Sequence, residues 1–119
     1  MSDNSVSGSD LRRWTRYEID CRVKIVCSRE GQKQVNYGRA QDMSFGGMML
    51  TAPFKFHEGE RVDLEFLPPN MSEVLRLSGV IRQQMGGYSF GVEFRDVTEA
   101  QRKMIKRLFE VLHVLDSLK

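Results

Sequence analysis

Residues 17–28 read YEIDCRVKIVCS, and every second residue from Ile19 to Cys27 is apolar. The residues between them are mostly charged or polar, so the two faces of an extended chain would differ in polarity. This period of two predicts a β-strand with one face in the core and the other in water. Cys21 and Cys27 share the apolar face, but their Cα atoms would lie roughly 20 Å apart, too far for a disulfide. We therefore expect two small buried side chains.

Further short segments have the pattern of strands and end at glycine or proline signals. Their expected bounds are Lys33 to Met43, Met48 to Leu50, Val62 to Phe66, Val74 to Gln84 and Tyr88 to Phe94. Gly86-Gly87 predicts a hairpin turn between the last two. Gly91 inside the last strand indicates a bulge or a close approach of another backbone. Five or six strands without intervening helices indicate an antiparallel barrel or sandwich.

The period changes near the C-terminus. Thr98 and Gln101 have the spacing of a capping box, in which each residue caps the backbone N–H of the other at the start of a helix. The apolar residues that follow recur at steps of three and four: Met104, Ile105, Leu108, Phe109, Val111, Leu112, Leu115 and Leu118. This stripe predicts a helix within residues 98–118 that packs on the barrel. A two-heptad coiled coil is the alternative, but so short a seam is marginal by itself.

Length and composition indicate one globular domain. The chain has 119 residues, of which 40% are hydrophobic and 29% are charged, with a formal charge of +2. Residues 11–39 carry eight Lys or Arg against three acids, a local excess that suits a small anion better than a long duplex. Residues 1–10 read MSDNSVSGSD and are expected to form a disordered tail before a domain at 11–119. No signal peptide or membrane span is recognisable, so we expect a cytoplasmic protein.

Two segments carry side chains suited to a nucleotide. The first is LRRWTR at residues 11–16, and the second is DMSFGG at residues 42–47. Each has a structural explanation, since arginines are often a solvated patch and Asp-x-Ser before glycines is often a capped turn. Together they match a guanine nucleotide: arginine pairs with phosphates or with guanine O6 and N7, and an ionised aspartate accepts from guanine N1–H and N2–H. Adenine would leave these groups mismatched.

The order and spacing of these residues resemble a known family. Arg12-x-x-x-Arg16 followed by Asp42-x-Ser44-x-x-Gly47 resembles the PilZ domain of bacterial cyclic di-GMP receptors, whose hallmarks are RxxxR and [D/N]xSxxG. The resemblance implies a six-stranded antiparallel PilZ-type β-barrel with a flexible N-terminal arm and a C-terminal α-helix. It also implies that Arg12 and Arg16 grip the ligand, that Asp42 and Ser44 hold a guanine, and that Gly47 keeps the connection tight.

Four neighbouring residues are supporting candidates in the same resemblance. Gly46 is a weaker candidate beside Gly47, and Arg13 would add charge. Trp14 would either stack on the ligand or join the core. Leu11 precedes the first motif and offers no charge, which implies one cyclic di-GMP per chain. A stand-alone member would need no cofactor other than this ligand and would signal to a protein target in motility, pili or exopolysaccharide synthesis. We expect a monomer or weak dimer that does not contact a membrane.

Other functions are less consistent with the sequence. Ser44 lacks a Gly-x-Ser-x-Gly elbow, His57 and His113 are isolated, and no metal or Walker motif is present, so we do not expect an enzyme. A barrel that binds single-stranded nucleic acid would use the aromatics Trp14, Tyr17, Tyr37 and Phe45. Asp42 would repel its phosphate backbone, and the basic excess is confined to one third of the chain. A PilZ fold without ligand is the third alternative, and the intact motif residues argue against it.

Overall fold

The computed structural model describes residues 15–84 and 86–118. Among them the structure contains six strands and one helix: β1 (Tyr17–Arg29), β2 (Gln32–Met43), β3 (Gly47–Thr51), β4 (Arg61–Phe66), β5 (Leu75–Gln84), β6 (Ser89–Arg95) and α1 (Glu99–Ser117). The predicted disordered tail at residues 1–10 and the arm residues 11–14 lie outside the described range. The strand bounds agree with those expected from the sequence within about one residue.

The six strands form a closed barrel in the order β1-β2-β3-β6-β5-β4. Every neighbouring pair is antiparallel, so the predicted six-stranded antiparallel barrel with a C-terminal helix is confirmed. The β1–β2 ladder is the longest and runs from Tyr17 opposite Met43 to Arg29 opposite Gln32. The β1–β4 ladder closes the barrel over only three pairs, Lys24–Val26 against Asp63–Glu65. Closure therefore depends on a short contact.

The period of two in β1 is confirmed by burial. Ile19, Val23, Ile25 and Cys27 are buried in the core, which the inward residues of all six strands and one face of α1 fill. Cys21 differs from expectation, because it is only half-buried. Both thiols are free, and burial raises the pKa of the Cys21 thiol to about 11. Burial also raises the pKa of the Cys27 thiol above its ordinary value, so neither cysteine favours the thiolate at neutral pH.

The strand register shifts at three places, between Glu18 and Cys21 in β1, between Ala40 and Asp42 in β2, and between Ile81 and Gln83 in β5. The register shift between Ile81 and Gln83 leaves Arg82 as an extra residue on β5, opposite Val92 and Gly91. The bulge that Gly91 predicted is thus on the partner strand and not on β6. Gly86 and Gly87 have φ values of 88° and 55°, which match the left-handed conformation of the predicted hairpin turn.

The bulge in β2 positions a motif residue, Asp42. The β2–β3 register passes from Ala40–Leu50 to Asp42–Met49, so Gln41 is the extra residue. Ala40 and Met43 are buried, whereas Gln41 is exposed and Asp42 is half-exposed. Strict alternation from Ala40 would turn Asp42 into the core and Met43 into water. The bulge instead keeps Met43 inside and presents Asp42 on the barrel surface.

The C-terminal helix begins with the predicted capping box. Thr98 Oγ1 accepts a hydrogen bond from the Gln101 N–H at 3.1 Å, and Gln101 Oε1 accepts one from the Thr98 N–H at 2.7 Å. The helix packs on the barrel through Ile105, Leu108, Phe109 and Leu112. Leu115 and Leu118, which the sequence placed in the same stripe, are exposed. The apolar stripe is therefore buried in the first part of α1 and exposed at its end.

Candidate functional site

The two motif segments meet at one end of the β1–β2 ladder. Arg16 directly precedes β1, and its Nε and Nη2 donate hydrogen bonds to Asp42 Oδ1 at 3.0 and 2.6 Å. Their side chains are 28% and 31% exposed. The ladder explains the contact, because Glu18 lies opposite Asp42 and Tyr17 opposite Met43. The last arginine of RxxxR and the aspartate of DxSxxG thus form one half-buried ion pair.

Ser44 stabilises the turn that follows Asp42. It is fully buried, its N–H donates to the Gly47 carbonyl at 2.8 Å, and its Oγ accepts from the Gly46 N–H at 3.2 Å. The Gly46 carbonyl accepts from the Phe94 N–H at 2.9 Å, which ties the turn to β6. The capped-turn role weighed in the sequence is therefore present in this structure. Direct contact between Ser44 and a ligand stays a prediction.

The strand register brings two more arginines to the outer edge of the site. Gly47 lies opposite Glu93 on β6. The Glu93 carboxylate is 3.0 Å from Arg95 Nη2 and 3.5 Å from Arg82 Nε. Sequence reasoning missed both arginines, because neither belongs to a motif. Only the strand register and the ion pairs show that both arginines contact Glu93, the residue that pairs with Gly47.

An aromatic cluster joins both motif segments to the helix. Phe109 of α1 stacks on Tyr17, with ring centroids 4.6 Å apart and an interplanar angle of 29°. The same ring meets Phe45 edge-on at 4.8 Å and 83°. Tyr17 follows Arg16, and Phe45 follows Ser44. A single helix residue thus contacts the residue that follows RxxxR and a residue inside DxSxxG.

Four of the predicted site residues precede the part of the chain that the structure describes. Leu11, Arg12, Arg13 and Trp14 lie outside the described residues, so the first half of RxxxR stays a prediction.

Within residues 15–84 and 86–118, no group of three or more His, Cys, Asp or Glu side chains is arranged to hold a metal ion. In the same part of the chain, no helix has the length and apolar character needed to cross a membrane.

A separate groove of about 390 Å³ lies on the β1–β4 side of the barrel. Arg22 and Tyr37 line it, with the guanidinium carbon 4.4 Å from the ring centroid. Tyr37 pairs with Lys24, well along β1 from Arg16, whereas Tyr17 and Phe45 pack on the helix. Among the described aromatics of the nucleic-acid hypothesis, Tyr17, Tyr37 and Phe45 therefore do not form one continuous stacking platform.

Comparison with known proteins identifies the fold and the family. Two solved structures share the fold: the PilZ domain with c-di-GMP of YcgR from Escherichia coli, and the PilZ domain of CeSA from a cellulose synthesizing bacterium. The first has a TM-score of 0.64 and 18% identity, covering 88% of this chain and 93% of that one. The second has a TM-score of 0.60 and 17% identity, covering 86% and 98%. A search of curated protein sequences finds no match. The PilZ domain family model matches residues 10–110, and the chain therefore belongs to the PilZ domain family.

Proposed function

We propose that this protein is a cyclic di-GMP receptor that changes the conformation of its N-terminal arm on binding and signals to a protein partner. The observation that carries the proposal is the ion pair between Arg16 and Asp42, which joins the two motif segments at one end of the barrel. The similar PilZ domain of YcgR, which carries c-di-GMP, supports the same ligand. The proposal includes a cytoplasmic location and no catalytic activity.

The chemistry of Asp42 favours guanine over adenine. Both hydrogen bonds from Arg16 reach Oδ1, and no hydrogen bond from the described residues reaches Oδ2. An ionised carboxylate accepts hydrogen bonds only, and the guanine N1–H and N2–H groups are donors on one edge. Adenine lacks this donor pair. The guanidinium of Arg16 beside the carboxylate supplies positive charge for a phosphate of the same ligand.

The arm supplies the proposed conformational change. Arg12 and Arg13 would hold the arm against the barrel only when an anion bridges them to Asp42 and its neighbours. Because Arg16 already contacts Asp42 at 2.6 Å, the moving part would be residues 1–15. Ordering this segment would change the surface that a protein partner meets.

Calorimetric titration with cyclic di-GMP tests the proposal, with cyclic di-AMP and GTP as matched ligands. We expect cyclic di-GMP to bind clearly more tightly than cyclic di-AMP, at about one ligand per chain, because the Asp42 acceptor needs the guanine donors. A parallel titration uses single-stranded oligothymidylate. Equal affinity for the two dinucleotides, or tighter binding to the oligothymidylate, would contradict the proposal.

A further inference from the structure

We propose that Phe109 is a positioning residue for the ligand site, so that α1 forms part of this site although neither motif includes a helix residue. The inference rests on the proposed function, because cyclic di-GMP is the ligand whose affinity it concerns. A residue of α1 would then affect ligand affinity as well as the packing of the core.

The geometry around Phe109 supports this role. The ring is 4% exposed and lies between Tyr17 at 4.6 Å and Phe45 at 4.8 Å. Tyr17 is bonded to Arg16, which contacts Asp42, and Phe45 lies inside the Ser44–Gly47 turn. Among the described helix residues, Phe109 is the one whose ring contacts both Tyr17 and Phe45, so it packs against the two segments that the Arg16–Asp42 contact joins. Phe109 supports both at once.

Removing the ring would affect binding more than another truncation in the helix. A smaller side chain leaves a cavity under Tyr17 and Phe45, so both segments gain freedom that ligand binding must then remove. Ile105 is equally buried, one turn nearer the start of α1, and has no ring that could stack on either aromatic. Its truncation would weaken the core without directly loosening the motif segments.

The coupling must also operate in the opposite direction. If the position of Phe109 changes the affinity for ligand, the ligand changes the stability of the packed helix by the same factor. Cyclic di-GMP should therefore slow amide exchange in α1 more than in strands away from the motifs, such as β4, and this excess should be lost when the ring is removed. A residue that served only as core filling would give equal slowing in α1 and β4, because a ligand that binds the folded state stabilises all of it.

The test compares Phe109→Leu with Ile105→Ala by calorimetry with cyclic di-GMP, thermal melting without ligand, and amide exchange of α1 with and without ligand. Losing both aromatic contacts should loosen the two motif segments in the free protein, so we expect Phe109→Leu to weaken cyclic di-GMP binding by about tenfold. Ile105→Ala should lower the melting temperature and change the affinity by no more than about twofold. Tyr17→Leu removes one of the two contacts from the barrel side and should weaken binding by a smaller factor, which provides a second variant if Phe109→Leu does not fold.

The outcomes separate this inference from the proposed function. If the wild-type protein binds no cyclic di-GMP, the proposed function fails and the inference fails with it. If the wild-type protein binds but Phe109→Leu and Tyr17→Leu retain its affinity, only the role of Phe109 is overturned. The same holds if Ile105→Ala loses affinity as strongly as Phe109→Leu, since general destabilisation then explains both.

Discussion

The contact between Arg16 and Asp42 combines two properties at the level of single residues. It is a short charged contact, and both side chains are nearly one third exposed. An ion pair with this exposure contributes about 1 kcal/mol or less to folding, because water competes for both groups. A charged hydrogen bond to a ligand contributes more, since it forms in a site from which water is displaced. Removing either side chain of the Arg16–Asp42 pair should therefore affect ligand binding more than folding.

Replacing Arg16 with alanine should weaken cyclic di-GMP binding by about 1.5–3 kcal/mol while changing the melting temperature of the ligand-free protein only slightly. Arg39→Ala is a matched control, because Arg39 also contacts an aspartate, Asp20, at 2.6 Å on the same pair of strands. The control should keep wild-type affinity. Calorimetry and thermal melting measure the two effects. Unfolding of the Arg16→Ala protein without ligand would instead give the arginine a structural role.

Within β2, the bulge at Gln41 determines that Asp42 faces the surface of the barrel. A single extra residue, Gln41, changes which side of the barrel each later residue of β2 faces. Asp42 then reaches the surface and Met43 fills the core. The bulge lies directly before the motif, where it changes the direction of the side chains that follow. The side chain of Gln41 is exposed and contributes little to this effect.

Deleting Gln41 should remove the bulge without reversing the residues that follow it. Asp42 would then directly follow the inward-facing Ala40, so regular alternation still presents Asp42 on the surface and keeps Met43 in the core. We expect the deletion variant to fold and to bind cyclic di-GMP more weakly than the wild type, because the bulge also sets the local twist of the strand. Gln41→Ala keeps the bulge and should preserve the wild-type melting temperature and affinity. Calorimetry and thermal melting measure both properties, and complete loss of binding in a folded deletion variant would contradict this description of the bulge.

At the scale of the whole molecule, closure of the barrel depends on the short β1–β4 ladder. An ion pair extends it: Arg29 Nε and Nη2 donate to the two carboxylate oxygens of Glu60 at 2.9 Å each. Continuing the register of Lys24 opposite Glu65 places these two residues opposite each other. Glu60 also accepts from the His57 N–H at 3.0 Å. The pair joins the end of β1 to the start of β4.

This closing contact makes the stability of the fold depend on pH. Hydrogen bonds from Arg29, followed by the His57 N–H, hold the pKa of Glu60 below its ordinary value of 4.5. The stabilisation is therefore complete above that ordinary value and disappears as the pH falls through the lower pKa of the folded state.

Glu60→Gln should lower the melting temperature at neutral pH, because it removes the charge from a charge-assisted pair worth about 1–3 kcal/mol. Its difference from the wild type should be constant above about pH 5 and shrink as the pH falls further. Thermal melts across this range measure the effect. Glu65→Gln changes a more exposed carboxylate on β4, paired with Arg76, and should show a smaller difference. A difference for Glu60→Gln that does not vary with pH would contradict the assignment.

Much of the fold could be predicted from local pattern. Alternation in β1 reports burial directly, since successive strand residues face opposite sides of a sheet. The capping box at Thr98 and the glycine pair at residues 86–87 are equally local, because each depends on residues within one turn. The motif spacing identified Arg16, Asp42 and Gly47 as candidates for the same reason: the side-chain types are visible in the sequence.

The tertiary structure decided what those residues contact. Three features depend on pairing between distant segments: the bulge at Gln41, the burial of Ser44, and the approach of Arg82 and Arg95 to Gly47 through Glu93. The sequence predicted Phe109 only as part of an apolar stripe, whereas the packed helix places its ring against Tyr17 and Phe45. Periodicity indicates which face of an element is buried. It does not indicate what that face meets, because the contact depends on register and closure across the whole barrel.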